Sequence, residues 1–269
     1  MDHKDINLRY RLLTAQFRSL PDFIIIGAQK CGTSSLFSYL KQHPELHLSV
    51  IKEIHFFDNQ YSKGINWYRS HFPLKRLVKK IKSGEASPYY LFHPLVAKRV
   101  YYHCPLVKLI VMLRNPTDRA YSHYMMQNKR KVDPVPTFEE AIEIENERLT
   151  NEIDKINNDP DYISFNHQKF SYLNRGMYYQ QLSEWLKYFN LDQFLFIKSE
   201  EFFQNPSNEL LKVYDFLGIR KKLPVSFDPE NINYYPPMNK KTRSFLNTYF
   251  AEENKKLSQI LGDKFLWEK

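Results

Sequence analysis

Short apolar runs alternate along the chain with longer stretches in which apolar residues recur at helical spacing. The runs Phe23–Ile26, Val107–Leu113 and Phe194–Lys198 have the length and composition of buried strands. The stretches between them have the periodicity of amphipathic helices. This alternation predicts an α/β fold, in which a largely parallel, P-loop-like central sheet is flanked by helices.

Capping residues, prolines and glycines set the predicted helix ends. The predicted helices are Ser34–Gln42, Pro116–Gln127, Thr137 to about Ile153, a stripe over Tyr178–Phe189, a helix starting at Asn205-Pro206 and ended by Gly218, and Thr242–Leu261 closed by Gly262. We expect Asn151–Ser171 to be irregular and Arg220–Pro237 to form a loop. No stretch resembles an interdomain linker, so we predict one domain over residues 1–269, with an N-terminal extension (1–20) and a catalytic core (20–269).

Hydrophobic residues make up 42% of the chain and charged residues 26%, as in soluble globular proteins. The longest aliphatic runs, such as Leu109–Leu113, are far shorter than the roughly 20 residues that a membrane helix needs. Met1–Arg18 is charged and has no apolar core, so it does not resemble a signal peptide. With only two cysteines, Cys31 and Cys104, we expect a reducing compartment. Because no run is long enough for a membrane helix, we also expect a cytoplasmic location and no membrane partner.

The net charge of +9 indicates an anionic partner. The charge alone leaves open nucleic acid, a membrane surface, a nucleotide or an acidic glycan. The basic clusters at 79–82, 129–131 and 220–222 are short, and such clusters are usually solvated surface. We therefore expect no nucleic-acid partner, an expectation that a steep salt dependence of DNA binding would reverse.

The most informative segment is Phe23–Ser35, where an apolar strand leads through a loop into a helix. The loop carries Gly27 and Gly32, and a lysine, Lys30, lies between them. Glycines let backbone N–H groups converge on an anion, and the helix N-terminus adds unsatisfied donors and a partial positive charge. The segment therefore predicts a phosphate-binding loop.

This loop departs from that of nucleoside triphosphatases, in which lysine directly follows the second glycine. Here Thr33 follows Gly32, and the lysine stands earlier, at position 30. The strand Val107–Leu113 ends in Arg114, where such enzymes commonly have a metal-binding carboxylate. A P-loop kinase or nucleotide hydrolase remains the alternative of a different class, but these residues favour phosphate neutralised by protein cations without a metal.

A second phosphate site is predicted where this strand turns into a helix through Arg114-Asn115-Pro116. The planar guanidinium of Arg114 can bond two phosphate oxygens, and Ser122 follows two helical turns later. Arg119 lies between them. Whether Arg119 faces the phosphate or solvent is left open by the sequence.

Together these motifs resemble the PAPS-dependent sulfotransferases, where PAPS is 3′-phosphoadenosine 5′-phosphosulfate. Lys52-Glu-Ile-His-Phe-Phe-Asp58 narrows the resemblance to the heparan sulfate sulfotransferase-like branch and its bacterial relatives. Further similarity runs through Gly64-x-x-Trp-Tyr68, Gly84–Tyr89, Arg175–Tyr178 and Tyr235–Arg243. The order and spacing of these motifs, over about Phe23 to Trp267, are highly specific.

The resemblance implies which residues bind the cofactor PAPS. Its 5′-phosphosulfate would lie on the loop around Lys30, its 3′-phosphate on the Arg114 motif, and a basic loop near residue 240 would close over it. The implied cofactor-binding residues are Lys30, Cys31, Gly32, Thr33, Ser34, Ser35, Arg114, Ser122, Tyr178, Lys240, Lys241, Thr242 and Arg243. For the adenine ring, Phe202, Tyr178 and Tyr235 are all available. No metal is implied.

The resemblance also implies the catalytic groups. Glu53 would be the general base and Lys30 would stabilise the leaving phosphate, with His55 as the alternative base. A general base of this kind needs a raised pKa, which burial of Glu53 would favour and Lys52 would oppose, and the sequence does not decide between the two effects. Lys52, His55, Asp58 and Tyr89 would lie near the acceptor.

We expect the acceptor to be a hydroxyl, or an amine, of a small molecule or biosynthetic intermediate. A glycan or a peptide tyrosine is the alternative acceptor. Ala86 stands where the glycan-modifying enzymes often have lysine, which argues against a heparan acceptor. The oligomeric state is left open.

Overall fold

The computed structural model describes residues 9–75, 81–230 and 234–267. The described residues form a five-stranded parallel sheet with the order β2-β3-β1-β4-β5, which confirms the predicted α/β fold. The strands are β1 (Phe23–Gly27), β2 (Leu46–Leu48), β3 (Lys82–Ala86), β4 (Lys108–Leu113) and β5 (Phe194–Lys198). Parts of four predictions lie outside the described residues: 1–8 of the N-terminal extension, 79–80 of a basic cluster, 231–233 of the loop at 220–237, and 76–80, 231–233 and 268–269 of the catalytic core.

Helices flank the sheet between the strands. They are α1 (Thr33–Lys41), α2 (Gly64–Arg69), α3 (Val96–His103), α4 (Pro116–Lys129), α5 (Phe138–Glu143), α6 (Glu145–Leu149), α7 (Glu152–Asn158), α8 (Phe165–Lys169), α9 (Tyr178–Leu186), α10 (Ser199–Gln204), α11 (Pro206–Leu217) and α12 (Lys240–Leu261). Their ends follow the expected caps: Asn115 accepts from the first turn of α4, and Gly218 ends α11 in the left-handed conformation.

Strand β3 carries no apolar run and was not predicted. Gly84, in its middle, lies directly against the ring of Phe23 on β1, and a Cβ at this position would come within 2.2 Å of the ring. Ser83 and Glu85 on either side are polar yet fully buried. The strand is therefore formed by close packing and by buried hydrogen bonds, which a hydrophobic pattern does not show.

The predicted helix from Thr137 to about Ile153 is wrong, because the chain breaks there into α5, α6 and α7. The breaks lie at Ile144 and at Asn151, which has a positive φ of 61°. The buried carboxylate of Glu145, on α6, accepts the backbone N–H groups of Leu173 and Asn174, so a tertiary contact decides the geometry. The stretch 151–171, expected to be irregular, contains the helices α7 and α8.

The carboxyl ends of the parallel strands meet at one edge of the sheet, where α/β proteins bind their ligands. The loops after β1, β3 and β4 all leave from this edge, with β1 in the centre. A second apolar cluster packs α12 against α4 and includes Tyr124, Phe138, Tyr172, Leu246 and Phe250. In the described part of the chain, no helix has both the length and the apolar character needed to cross a bilayer.

Candidate active site

The loop between β1 and α1 has the backbone shape that an anion site requires. Lys30 and Gly32 have φ angles of 71° and 93°, and no side chain caps the first turn of α1. The hydroxyl of Ser199 donates to the carbonyl of Cys31 at 2.7 Å, which fixes the loop from the end of β5. The helix begins without a capping group, so its first N–H groups are suited to an anion.

Cations converge on this loop. The half-buried ammonium of Lys30 has its pKa lowered to about 8, first by burial and then by the charges of Arg130 and Arg114. Each of these charges makes the protonated form of Lys30 harder to hold. A bound anion would reverse this effect, so the electrostatics of the loop fit a phosphate or phosphosulfate group.

The sequence left open whether Arg119 faces the phosphate or solvent, and the structure decides this. Its side chain is fully buried, so the solvent-facing alternative is wrong. One nitrogen donates to the carbonyl of Tyr172, while Nε and Nη1 have no partner. Its charge contributes to the lowered pKa of Lys30, which shows that it lies near the phosphate loop. Ser122, one helical turn further, is also buried.

Arg114 lies at the end of β4, as predicted, and contacts both the phosphate loop and the C-terminal part of the chain. Its guanidinium donates to the carbonyl of Lys30 at 3.5 Å. Burial acts to lower the pKa of Arg114, but the phenol of Tyr235 beside it helps to raise the pKa overall. Of the three aromatic side chains considered for adenine, Tyr235 is thus the one whose hydroxyl lies beside the guanidinium of Arg114.

Among the expected cofactor-binding residues, Cys31, Tyr178 and Ser35 have buried side chains, and their contact with the cofactor stays a prediction. The thiol of Cys31 is fully buried and lies 3.8 Å from the hydroxyl of Tyr178. That hydroxyl donates to the carbonyl of Arg114 at 3.0 Å. Ser35 is buried and accepts the backbone N–H of Glu230. The hydroxyl of Tyr178 therefore connects the phosphate loop to the Arg114 motif.

Phe203 and its neighbour Phe202 differ in their exposure to solvent, which decides whether a ring can contact a ligand. Phe202 is fully buried in the core, whereas Phe203 is half exposed. The ring of Phe203 lies so close to Gly32 that a Cβ there would come within 2.9 Å of it. Sequence reasoning missed Phe203, because only the folded chain brings its exposed ring to the phosphate loop.

The basic residues at the start of α12 do not converge on one point. Lys240 and Lys241 are exposed. Thr242 donates to Glu139, and Arg243 forms an ion pair with Asp118 on α4 at 2.7 Å. The last two residues therefore anchor α12, while a cofactor contact from the two lysines stays a prediction.

On the other side of β1, the segment after β2 brings two carboxylates and an imidazole together. Nδ1 of His55 lies 2.6 Å from Asp58, and its Nε2 lies 3.4 Å from Glu53. Lys52 donates to the second oxygen of Glu53 at 2.6 Å. Glu53 and His55 both have positive φ angles, 61° and 55°, which turn both side chains to the same side of a tight loop.

The charges in this cluster balance one another. Burial acts to raise the pKa of Glu53, but the hydrogen bond from His55 and the charge of Lys52 lower it to about 2. Of the two opposing effects that the sequence left open, the neighbouring cations thus outweigh burial. Burial acts to lower the pKa of His55, but its bonds to Asp58 and Glu53 raise it to about 10. At neutral pH the imidazole is protonated and cannot accept a proton, whereas the carboxylate of Glu53 can.

Arg175 connects the two halves of the site, a role that sequence reasoning missed although its motif was noted. The buried guanidinium donates to Oε1 of Gln29 in the phosphate loop at 2.7 Å, and to the carbonyl of Gln168 at 2.8 Å. It stacks over the ring of Tyr89, 4.7 Å from the centroid. Burial lowers its pKa to about 10, and the charge of Glu53 is among those that act on it.

Tyr89, expected near the acceptor, is buried, and its hydroxyl is hydrogen-bonded to Nδ1 of His167 at 2.7 Å. A different residue, Lys169 at the end of α8, is half-buried near Glu53. Burial and the charges of Arg175 and Arg130 lower the pKa of Lys169, while the charge of Glu53 raises it. No pattern in the sequence marks Lys169.

Among the residues that the structure describes, no group of three or more His, Cys, Asp or Glu could hold a metal ion.

Comparison with known proteins identifies the family to which this fold, with its loop after the central strand β1, belongs. A family model described as "Sulfotransferase domain" matches residues 20–257. The chain therefore belongs to the sulfotransferase domain family. The resemblance drawn from the motifs and the predicted enzyme class are confirmed.

Individual relatives narrow the comparison. A sulfotransferase from Alicyclobacillus acidocaldarius has a crystal structure that superimposes with a TM-score of 0.71 at 30% identity, covering 90% of this chain and 96% of that one. The mouse heparan sulfate glucosamine 3-O-sulfotransferase 3A1 is 30% identical, over 96% of this chain and 67% of that protein. The membrane-associated sulfotransferase kil1 of Dictyostelium discoideum is 29% identical, over 93% of this chain and 67% of that protein. The human heparan sulfate glucosamine 3-O-sulfotransferase 6 is matched over only 54% of its length.

Proposed function

We propose that this protein transfers a sulfuryl group from PAPS to a hydroxyl group of its acceptor. The observation that carries the proposal is the contrast at one edge of the sheet. Lys30 and Arg119 have charges that the described contacts do not balance, while Glu53 stands nearby as an ionised carboxylate. The first pair suits a donor with phosphate groups, and the carboxylate suits an acceptor that must lose a proton.

The residues present fit PAPS. Buried guanidinium nitrogens without a partner are costly, and a phosphate or sulfate oxygen is the group that would satisfy them. When bound, PAPS supplies the sulfuryl group and a leaving group that already carries a phosphate. Lys30 and the first N–H groups of α1 would hold its 5′ end, and Arg114 with Ser122 its 3′-phosphate. Tyr235 and Phe203 would then border the adenosine.

Glu53 is the group that we propose accepts the proton of the acceptor hydroxyl. With a pKa of about 2 it is a weak base towards a free alcohol. The hydroxyl becomes much more acidic as its oxygen loses electron density to the new bond, so a weak base in the correct position is sufficient. His55, held between Glu53 and Asp58, orients the carboxylate. Electrostatic positioning therefore carries most of the rate enhancement.

For the acceptor we propose a hydroxyl of a small molecule or biosynthetic intermediate. A glycan hydroxyl is the second acceptor class, because several relatives are named heparan sulfate glucosamine 3-O-sulfotransferases. Ala86, fully buried at the end of β3, favours the first class, because it supplies no cation towards a sulfated polysaccharide. The cytoplasmic location stays a prediction, which cell fractionation would check.

The test is a transfer assay with PAPS labelled with ³⁵S in its sulfuryl group. Heparan sulfate, N-desulfated heparan sulfate, a set of small alcohols and phenols, and matched amines serve as acceptors, with and without a chelator. We expect labelled product from at least one hydroxyl acceptor, and no loss of activity with the chelator. Turnover of ATP with Mg²⁺, and none of PAPS with any acceptor, would instead support a P-loop kinase or hydrolase.

A further inference from the structure

We propose that Glu85, at the end of β3, is a positioning residue that fixes the loop carrying Glu53 and His55. The two connections run through the hydroxyls of Ser87 and Tyr90. The consequence for catalysis rests on the proposed function. The contacts themselves do not depend on that proposal.

Glu85 is fully buried and is bonded by hydroxyl groups. Tyr68 donates to its Oε1 at 2.7 Å, and Ser87 donates to its Oε2 at 2.8 Å. The hydroxyl of Tyr90 is a third hydrogen-bond partner. All four side chains are shielded from solvent. These donors are neutral, so they compensate the burial of a charge only in part, and burial raises the pKa of Glu85 to about 7.

Two of these hydroxyls also accept hydrogen bonds from the loop backbone. Ser87 accepts the N–H of His55 at 3.4 Å. Tyr90 accepts the N–H of Phe56 at 2.9 Å and that of Phe57 at 3.3 Å. A hydroxyl that donates its proton to a carboxylate turns its lone pairs outward, so the carboxylate aligns both acceptors with the loop.

The loop needs such support. Glu53 and His55 have positive φ angles, a conformation that non-glycine residues rarely adopt and that persists only where the surroundings hold it. This conformation places His55 between Glu53 and Asp58. If the loop left this conformation, the imidazolium of His55 would separate from the two carboxylates, and Glu53 would lose its orientation.

Tyr68 provides a matched control. Tyr68→Phe and Tyr90→Phe each remove one hydroxyl from the same buried carboxylate, and both rings remain packed in the core. Only the hydroxyl of Tyr90 also bonds the loop backbone. A purely structural role of Glu85 in the core predicts equal consequences for the two variants, whereas positioning predicts different ones.

The experiment compares Tyr90→Phe, Tyr68→Phe and Glu85→Gln in the full chain without nucleotide. Histidine-labelled NMR gives the pKa of His55, and hydrogen exchange gives the protection of the amides of Phe56 and Phe57. For Tyr90→Phe and Glu85→Gln we expect the pKa of His55 to fall from about 10 towards its ordinary value of 6.5. In Tyr90→Phe, exchange at the two amides should rise about tenfold, and Tyr68→Phe should stay within about twofold of wild type in both measurements.

Equal shifts in the two tyrosine variants, or an unchanged pKa of His55 in Tyr90→Phe, would overturn the inference. The tyrosine pair decides the question even if Glu85→Gln does not fold. Binding of adenosine 3′,5′-bisphosphate to each variant is measured in parallel. If the wild-type protein does not bind this nucleotide, the proposed function is contradicted. The His55 titration still reports on the role of Glu85 in that case.

Discussion

The proposed donor half of the site, around Lys30, and the proposed acceptor half, around Glu53, are built in opposite ways. Around Lys30 the shape comes from the backbone, with positive φ angles in the loop and the uncapped start of a helix, and the cations repel one another. Around Glu53 the shape comes from side chains, and each charge has a partner of opposite sign within hydrogen-bonding or ion-pair distance.

Because of this difference, the two halves should respond differently to a ligand. The donor half gains stability when an anion arrives, so it should bind the phosphates of a nucleotide strongly. The charges of the acceptor half already neutralise one another, so this half should gain little stability from binding, and its proposed role is to orient a base. Substitutions in the two halves should therefore act on different quantities, affinity in the first and rate in the second.

The largest effect is expected for Glu53→Gln. The amide keeps the shape of the side chain but cannot accept the proton, so kcat should fall by about 10²–10⁴-fold. The affinity for adenosine 3′,5′-bisphosphate should stay near that of wild type. The control is Glu184→Gln, which removes a surface carboxylate that is also paired with a lysine. If Glu53→Gln keeps its kcat while His55→Ala is inactive, the role of general base belongs to His55.

Lys30→Ala should come next, with a fall of about 10²–10³-fold in kcat, because the charge that develops on the leaving phosphate loses the ammonium proposed to stabilise it. Unlike Glu53→Gln, it should also weaken nucleotide binding. Lys41→Ala, at the exposed end of the same helix, serves as control. Near-normal turnover and affinity in Lys30→Ala would remove the lysine from its assigned role.

A smaller effect is expected for Arg114→Ala, which should act on affinity alone. Loss of charged hydrogen bonds to the 3′-phosphate should raise the Kd of adenosine 3′,5′-bisphosphate by about 10–100-fold, as measured by calorimetry. Binding of AMP, which has no 3′-phosphate, should hardly change. Arg220→Ala removes a comparable but exposed arginine as the control. An equal loss for both nucleotides would mean that Arg114 does not read the 3′-phosphate.

The smallest effect concerns stability and its dependence on pH. The folded state raises the pKa of His55 from 6.5 to about 10, so its ion pairs stabilise the fold fully below pH 6.5. This contribution is lost as the pH rises through about 10. In urea unfolding, His55→Asn should therefore be destabilised most at low pH within this window, and the difference from wild type should shrink towards pH 10. A difference that stays constant or grows would contradict the imidazolium between two carboxylates.

The donor half could largely be predicted from the sequence, because its signals are local. The strand, two glycines, lysine and helix start lie within thirteen consecutive residues, and the structure joins them as expected. Arg114 follows β4 directly, so its position at the same sheet edge also follows from the strand order. The burial of Arg119 could not be predicted, because the helical face that meets the core is decided by Tyr172 and its neighbours.

The acceptor half depended on contacts between distant parts of the chain. The pKa of Glu53 is lowered because a tight turn brings His55 back onto it, and no spacing rule shows that turn. Strand β3 was missed because buried polar residues form it. Glu85 belongs to this strand, so its hydroxyl partners 17 residues upstream and two residues downstream came to light only in the folded chain.

The central claim is that two separate cation sites, around Lys30 and around Arg114, hold the two ends of one adenosine nucleotide. Calorimetry with adenosine 3′,5′-bisphosphate, AMP and ATP tests it most directly. We expect the bisphosphate to bind tightest, with AMP weaker by about 10–100-fold and with no gain for ATP from Mg²⁺. Equal affinity for AMP and the bisphosphate, or tightest binding of ATP with Mg²⁺, would contradict it.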